Sequence, residues 1–170
     1  MKNWVVLLTL IAALGLVNFA IFQKEQILQH GDTVYLKLAP LDPRSIMQGD
    51  YMALRFELAD EIEAALTAKA LEKQQDTLDG QVQVQLNDQR IARFISIESA
   101  LNEKTDLSLQ FRLRNGQIKF ATNAYFFEEG TGNILAEAQF GEFKVGEDGE
   151  LLLISLTDES LKQLGNSTLR

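Results

Sequence analysis

The residue types best suited to chemistry lie in one polar segment between two apolar stretches. Within it stand Asp42, Arg44, Gly49, Asp50 and Tyr51. A guanidinium, two carboxylates and a phenol in one turn could bind a ligand or a partner protein. The same residue types also build turns, because glycine permits a left-handed bend and Asp side chains accept hydrogen bonds from backbone N–H groups. The segment is therefore a candidate binding turn, and a purely structural turn is the alternative.

A hydrolase is the alternative function. Ser45-Ile46-Met47 followed by Gly49-Asp50 resembles the start of signal-peptidase-type Ser/Lys proteases. Such a serine needs a desolvated lysine as its base. None of the later lysines stands in an apolar strand followed by Gly-Asp. Most have polar neighbours in sequence: Lys69, Lys73, Lys104, Lys119, Lys144 and Lys162.

A carboxylate site is the second form of the hydrolase hypothesis. Glu128 and Glu129 follow an apolar stretch, so burial could raise the pKa of one of them, as an acid–base pair requires. Adjacent residues of a strand point to opposite faces, however, which argues against a pair made of these two. The acidic residues between Glu147 and Glu150 lack the spacing of an EF-hand and predict a plain turn. We therefore assign no catalytic residue and no metal site.

Composition removes several further classes of function. The chain has no cysteine, which excludes disulfides, thiolate nucleophiles and iron–sulfur clusters. Its one histidine, His30, lies next to the apolar N-terminal segment, so a Ser–His triad or a His-based zinc site is not expected. No cofactor is predicted. The net charge of −8 also argues against nucleic-acid binding.

The elements that must position the candidate turn begin with an apolar segment from Trp4 to Phe22. Its only polar members are Thr9 and Asn18. As a helix it would span roughly 28 Å, close to the thickness of a hydrocarbon core. A cleaved signal peptide is the alternative, but a cut after Ala20 would place Asn18 where a small residue is preferred. The segment is predicted to be a retained transmembrane helix.

The charges beside this segment predict its orientation. Lys2 precedes it, whereas Lys24 on the other side is offset by Glu25. The positive-inside rule then favours a cytoplasmic N-terminus. We predict a single-pass protein of the cell (inner) membrane with an extracytoplasmic, periplasmic C-terminal domain. The helix is expected to continue to His30 and to end at Gly31 in a left-handed cap.

Residues 1–30 are thus interpreted as the transmembrane anchor with its juxtamembrane extension, and residues 31–170 as one soluble β-rich domain. The predicted fold class is α+β, mostly antiparallel β, with about seven or eight strands and two or three short helices. Strands are predicted at residues 34–38, 51–58, 82–86, 91–97, 107–113, 118–127, 140–145 and 151–156. Helices are predicted at residues 60–73 and 134–138, and after Asp158.

Turn and cap residues refine these elements. Asn115-Gly116 between alternating apolar residues predicts a tight hairpin, and Asn87-Asp88 predicts another. Asp60 with Glu63 three residues later resembles a capping box, which places the start of the main soluble helix at Asp60.

The polar turn and the strand after it resemble the GDYxxLxY-motif family of bacterial membrane-anchored proteins. Gly49, Asp50, Tyr51 and Leu54 match the motif, and Phe56 replaces its final tyrosine. Further similar blocks are Asp42-Pro43-Arg44, Tyr125 to Gly130, Gly141-Glu142 and the C-terminal part from Gly149 to Asp158. The resemblance implies an N-terminal membrane anchor and a gene beside that of a multi-spanning membrane protein. It implies no reaction.

The sequence therefore predicts a single-pass, membrane-anchored extracytoplasmic binding or assembly module, accessory to another membrane protein. Its expected partners are the lipid bilayer, through the N-terminal helix, and that second membrane protein. Few residues separate Phe22 from the first predicted strand at Val34, so the domain is expected to lie close to the bilayer.

Overall fold

The fold was analysed in a computed structural model, which describes residues 2–40, 51–69, 77–97, 106–122, 124–127 and 131–165. The helices are α1 (Lys2–His30), α2 (Glu57–Lys69) and α3 (Gly132–Leu135). The strands are β1 (Asp32–Lys37), β2 (Tyr51–Ala53), β3 (Thr77–Leu86), β4 (Ala92–Ser96), β5 (Leu107–Arg114), β6 (Gln117–Lys119), β7 (Ala124–Phe126), β8 (Phe140–Val145), β9 (Leu151–Thr157) and β10 (Gln163–Leu164). A long apolar helix followed by mainly antiparallel strands confirms the predicted α+β class.

Helix α1 is long and apolar enough to cross a membrane from Trp4 to His30, and its most apolar stretch is not buried against the rest of the fold. Its two polar side chains bond within the helix. Thr9 donates to the Val6 carbonyl at 2.9 Å, and the Asn18 amide donates to the Leu14 carbonyl at 2.8 Å. A hydrocarbon environment requires such internal pairing, because no water is available there.

The last turn of α1 contacts the turn between β8 and β9. Ile27 is half-buried there, and a Cβ added to Gly146 would lie 3.1 Å from the Ile27 side chain. A Cβ at Gly31 would clash with the carbonyl oxygens of Ile27 and Val145. Gly31 does not have the positive φ of the predicted left-handed cap, so that prediction was wrong. Glycine is needed at Gly31 because two backbone segments approach each other closely.

Two polar contacts reinforce this junction. Lys24 of α1 forms an ion pair with Glu150 of the β8–β9 turn. The Lys144 ammonium donates a hydrogen bond to the Gly31 carbonyl at 3.0 Å. Only Gly31 separates α1 from β1, so the helix passes into the sheet without a linker.

The described strands form two four-stranded antiparallel sheets and a two-stranded ribbon. The sheet orders are β1-β8-β9-β10 and β4-β3-β5-β6, and the ribbon pairs β2 with β7. Backbone bonds join the two sheets at two places. Tyr35 of β1 donates to the Arg90 carbonyl at 3.0 Å, and Gln110 of β5 donates to the Gly149 carbonyl at 2.8 Å.

One hydrophobic core joins the two sheets, the ribbon and α2. Apolar residues at alternate positions of each strand point inward, as expected for sheets with one covered face. Members with almost no solvent exposure are Val34, Leu36, Phe56, Ile62, Val82, Val84, Leu109, Phe143 and Leu156.

Both predicted hairpins are confirmed. Asn115 and Gly116 have φ values of 53° and 73°, as a tight hairpin turn with two left-handed residues requires. In the β3–β4 turn, the Asn87 side chain accepts hydrogen bonds from the backbone N–H groups of Gln89 and Ile91, at 3.0 and 2.8 Å.

The start of the main soluble helix differs from the prediction. Helix α2 begins at Glu57, so the predicted strand after Tyr51 ends at Ala53 and Asp60 does not precede the helix. The reason is the apolar pattern: Leu58 and Ile62 stand one helical turn apart, and both are buried.

Two other predicted elements were also wrong. The predicted strand at 118–127 is divided into β6 and β7, which belong to different sheets. The predicted final helix is replaced by a turn and the short strand β10. There the Asp158 carboxylate accepts bonds from the N–H groups of Ser160 and Lys162, at 2.8 and 2.9 Å. Leu161 has φ 61°, which no right-handed helix allows.

Candidate functional site

The best-placed candidate site is the β2–β7 ribbon, because it carries the residues that follow the polar turn. Tyr51 pairs with Phe126, and Met52 pairs with Tyr125. Successive side chains point to opposite faces, so Met52 is buried while the Tyr51–Phe126 pair faces outward. We call Tyr51 and Phe126 the aromatic pair.

The aromatic pair is an exposed apolar surface of the domain. The ring centroids of Tyr51 and Phe126 are 6.0 Å apart, and their planes are tilted by 44°. Tyr51 is 37% exposed and Phe126 is 71% exposed. Outside α1, the only other large apolar side chain exposed in the described ranges is Ile134. Rings exposed in this way are typical anchors of protein interfaces.

Of the five predicted site residues, Tyr51 is the one that the structure describes, and it belongs to this surface. Asp42, Arg44, Gly49 and Asp50 lie outside the described residues, and so does the proposed nucleophile Ser45. The backbone on either side of that segment is held by the fold: the Ala39 N–H donates to the Arg55 carbonyl at 2.8 Å, and Leu38 forms a bridge with Phe56.

The end of the motif is structural. Leu54 is 4% exposed and Phe56 is 1% exposed. The Phe56 ring packs edge-on against Phe143 and Phe120, with centroid distances of 5.4 and 5.9 Å. Phenylalanine fits this position because a tyrosine hydroxyl in such an apolar cluster would need a hydrogen-bond partner.

Arg55, which lies within the motif, forms ion pairs with carboxylates of α2. Arg55 donates to the Asp60 carboxylate from Nε at 2.8 Å and from Nη2 at 2.6 Å, and Glu63 lies 3.8 Å away. The hydrogen bond to Asp60, followed by the charges of Asp60 and Glu63, raises the pKa of Arg55. Asp60, predicted to be a cap, therefore serves as an ion-pair partner.

The closest described resemblance to a hydrolytic pair lies in the β8–β9 region. The Ser155 hydroxyl donates to the Glu142 carboxylate at 2.6 Å. Ser155 is fully buried, so a substrate carbonyl has no access to its oxygen. Burial raises the pKa of the nearby Tyr35 phenol, and the charge of Glu142 raises it further, whereas Arg90 lowers it.

The other hydrolase candidates gain no support from their surroundings. Lys144 bonds to a backbone carbonyl at the α1 junction, and Lys119 and Lys162 are exposed. Glu128 and Glu129 lie outside the described residues. Across the ranges that the structure describes, no group of three His, Cys, Asp or Glu residues could hold a metal ion.

Sequence reasoning missed a second site, at the base of α1. A recess of about 320 Å³ lies between α1, the β5–β6 hairpin and the start of β9. We call it the basic recess. Its lining residues are Lys24, Gln110, Arg112, Lys119, Phe120, Ala121, Glu150, Leu151 and Leu152. Lys24 is far from the other two cations in sequence. Arg112 and Lys119 flank the predicted Asn115-Gly116 hairpin, and its register places them opposite each other, so these two could have been linked in advance.

Comparison with known proteins identifies one family. The sequence profile of the GDYXXLXY protein family matches residues 13–156, which include α1 from Ala13 onward, the aromatic pair and the basic recess. No significant match was found among curated proteins or among solved structures.

Proposed function

The chain belongs to the GDYXXLXY protein family, and we propose that it is a single-pass, membrane-anchored binding or assembly module, accessory to another membrane protein. The exposed aromatic pair on the ribbon that carries the family motif is the observation on which this proposal rests.

Helix α1 is the proposed anchor. Its apolar side chains are exposed along the stretch from Trp4 to Phe22, and in water that surface would be strongly unfavourable. Lys2 precedes this stretch, whereas Lys24 is balanced by an acidic partner, Glu150. This asymmetry supports a cytoplasmic N-terminus and a periplasmic domain in a bacterial inner membrane.

The aromatic pair is the proposed contact surface. Burying a phenylalanine ring that is 71% exposed contributes about 1–2 kcal/mol to association. Tyr51 adds a second ring beside it, and two adjacent rings form the kind of cluster that dominates interface energetics. Packing of the β2–β7 ribbon does not require two large rings to remain exposed side by side, so a partner that covers the pair is the simplest explanation.

We propose a membrane protein as the partner because contacts with α1 keep the domain near the bilayer. The Lys24–Glu150 ion pair and the Ile27–Gly146 contact keep the domain against the end of α1. A domain without a linker stays beside the bilayer, where the extracytoplasmic loops of membrane proteins are the nearest protein surfaces. The net charge of −8 favours a partner with basic loops.

The test is site-specific photocrosslinking in cells. A photoreactive phenylalanine analogue replaces Phe126, and the matched control carries it at Gln89, an exposed position of the β3–β4 turn. We expect a reproducible product with one multi-spanning membrane protein from position 126, and at least fivefold less of it from position 89.

A second variant makes the result specific to the aromatic pair. Tyr51→Ala, combined with the probe at position 126, should reduce the product because it removes half of the surface. Equal yields from positions 126 and 89, or products spread over unrelated proteins, would refute the assembly role.

A further inference from the structure

We propose that the basic recess binds the phosphodiester headgroup of an anionic glycerophospholipid from the membrane that α1 crosses. This inference rests on the proposed insertion of α1 in a bilayer but not on the identity of any protein partner. It extends the proposed function by assigning a lipid site that is separate from the aromatic pair.

The first support is an uncompensated pair of cations. Arg112 and Lys119 stand directly opposite each other on β5 and β6, and both side chains are exposed. Like charges at directly opposed positions of an antiparallel pair destabilise the sheet. An anion bound between them would turn this repulsion into two favourable contacts.

The nearby carboxylates form their ion pairs with other cations. Asp79 faces Arg112 across β3, but its carboxylate pairs with Arg114 at 2.7 Å. Glu150 pairs with Lys24 on the other wall. In the part of the chain that the structure describes, neither Arg112 nor Lys119 has a carboxylate oxygen within 4.0 Å. The recess therefore holds three cations against one acidic residue.

The second support is the depth of the recess relative to the bilayer. Lys24 lies two residues after Phe22, which is about 3 Å further along the helix axis. The headgroup layer extends roughly 5–8 Å beyond the hydrocarbon core on each side. Lys24 is therefore placed in the phosphate layer, and its partner Glu150 holds the recess at the same level.

The third support is the amphipathic lining. The recess is lined by apolar residues beside the cations: Ala121 and Leu152 are partly exposed, and the buried Phe120 and Leu151 lie beneath them. Free phosphate makes no use of apolar walls, whereas a phospholipid presents a glycerol and the first acyl methylenes next to its phosphate. The volume of about 320 Å³ lies within the range of small-molecule sites.

The overall acidity of the chain does not oppose this binding at short range. The net charge is −8, but charges more than about 8–10 Å away are largely screened at physiological ionic strength. The headgroup meets Arg112, Lys119 and Lys24 within the recess itself, so the local positive charge determines the interaction.

The test measures lipid retention by the full chain. Protein purified in a non-ionic detergent is mixed with phosphatidylglycerol, phosphatidylethanolamine or phosphatidylcholine, and bound lipid is counted by native mass spectrometry. We expect one phosphatidylglycerol per chain, retained several-fold better than the other two lipids. The double variant Arg112→Gln/Lys119→Gln should lose affinity by about twenty-fivefold, at roughly fivefold for each cation.

Matched controls separate the site from general charge. Arg93→Gln/Lys162→Gln removes two exposed cations elsewhere and should change retention less than twofold. Lys119→Glu should raise the melting temperature in lipid-free detergent, because it replaces a repulsive pair by an attractive one, and should abolish phosphatidylglycerol retention. This variant shows that lost binding is not lost folding.

Three outcomes would overturn the proposal. They are equal retention by the native chain and the double variant, equal retention of all three lipids, and displacement of phosphatidylglycerol by an equimolar amount of inorganic phosphate. The last would identify a free-anion site. Alkaline extraction of cell membranes distinguishes these failures from failure of the anchor, because a chain without a membrane anchor is released into the supernatant.

Discussion

Two phenylalanines, Phe56 and Phe126, carry the same side chain in opposite surroundings. Phe56 is 1% exposed and packs between Phe143 and Phe120, whereas Phe126 is 71% exposed beside Tyr51. The first ring stabilises the fold, and the second is available for a partner. The family motif thus contains an exposed ring at Tyr51 and ends in a buried ring at Phe56.

Truncation of the two rings should separate these roles. Phe56→Ala should lower the free energy of unfolding by about 3–5 kcal/mol, because it leaves a cavity in the core. Phe126→Ala should change it by less than about 0.5 kcal/mol, because most of its ring is already exposed to solvent. Thermal melts of both variants in detergent measure the difference. Similar destabilisation by both variants would show that Phe126 supports the fold.

At the scale of secondary-structure elements, the predictions that depend on local sequence alone were correct. Asn115-Gly116 and Asn87 fixed both hairpins, since their left-handed or side-chain-bonded geometries belong to the turn itself. The apolar run of α1 was also predicted, because length and composition alone define it.

Boundaries that depend on tertiary contacts were not predictable. Helix α2 begins three residues early because Leu58 is buried in the core, and α2 therefore replaces the end of a strand. The prediction of a final helix was wrong because β10 pairs with β9, and the turn between these strands holds Leu161 in a left-handed conformation.

The candidate sites also depend on tertiary contacts that the sequence does not reveal. Tyr51 could be predicted from the motif, but Phe126 became its neighbour only through the β2–β7 register. The basic recess required α1, β5 and β6 to meet, which no spacing in the sequence reveals.

Helix α2 also carries a pH-dependent destabilisation. Partial desolvation, followed by the charges of Glu57 and Asp60, raises the pKa of Glu61. A raised carboxyl pKa means that the folded state binds more protons, so stability falls as pH rises above about 4.5. The helix dipole would offset this effect for a carboxylate in the first turn of α2, but Glu61 lies beyond that turn.

Glu61→Gln should therefore raise the melting temperature at pH 7 by about 1–2 °C, a small effect because the residue is exposed. At pH 3 the difference should vanish. Glu159→Gln, an exposed carboxylate of the β9–β10 turn, controls for the loss of one negative charge. A gain that is equal at both pH values would show that ionisation is not its cause.

At the scale of the whole molecule, α1 and the domain are one continuous body. Only Gly31 separates α1 from β1, and the β8–β9 turn holds the helix through Gly146 and Glu150. We therefore expect the face of the domain that carries Phe126 to have a fixed direction around the axis of α1.

Insertion of one alanine between Phe22 and Gln23 tests this coupling. It leaves the contacts of Lys24 and Ile27 intact but turns the domain by about 100° relative to the membrane segment. The crosslink from position 126 should fall at least fivefold at an unchanged melting temperature. An unchanged yield with this insertion would show that the domain rotates independently.

The contacts between the β8–β9 turn and α1 also make the tilt of the domain depend on the thickness of the bilayer in which α1 is proposed to lie. A transmembrane helix longer than the local hydrocarbon layer tilts to bury its apolar length. Because the Lys24–Glu150 and Ile27–Gly146 contacts join the domain to that helix, the domain leans with it. With α1 inserted as proposed, the angle at which Phe126 would meet the proposed partner depends on the lipids around α1, so membrane composition would set the geometry of that contact without any ligand binding to the aromatic pair.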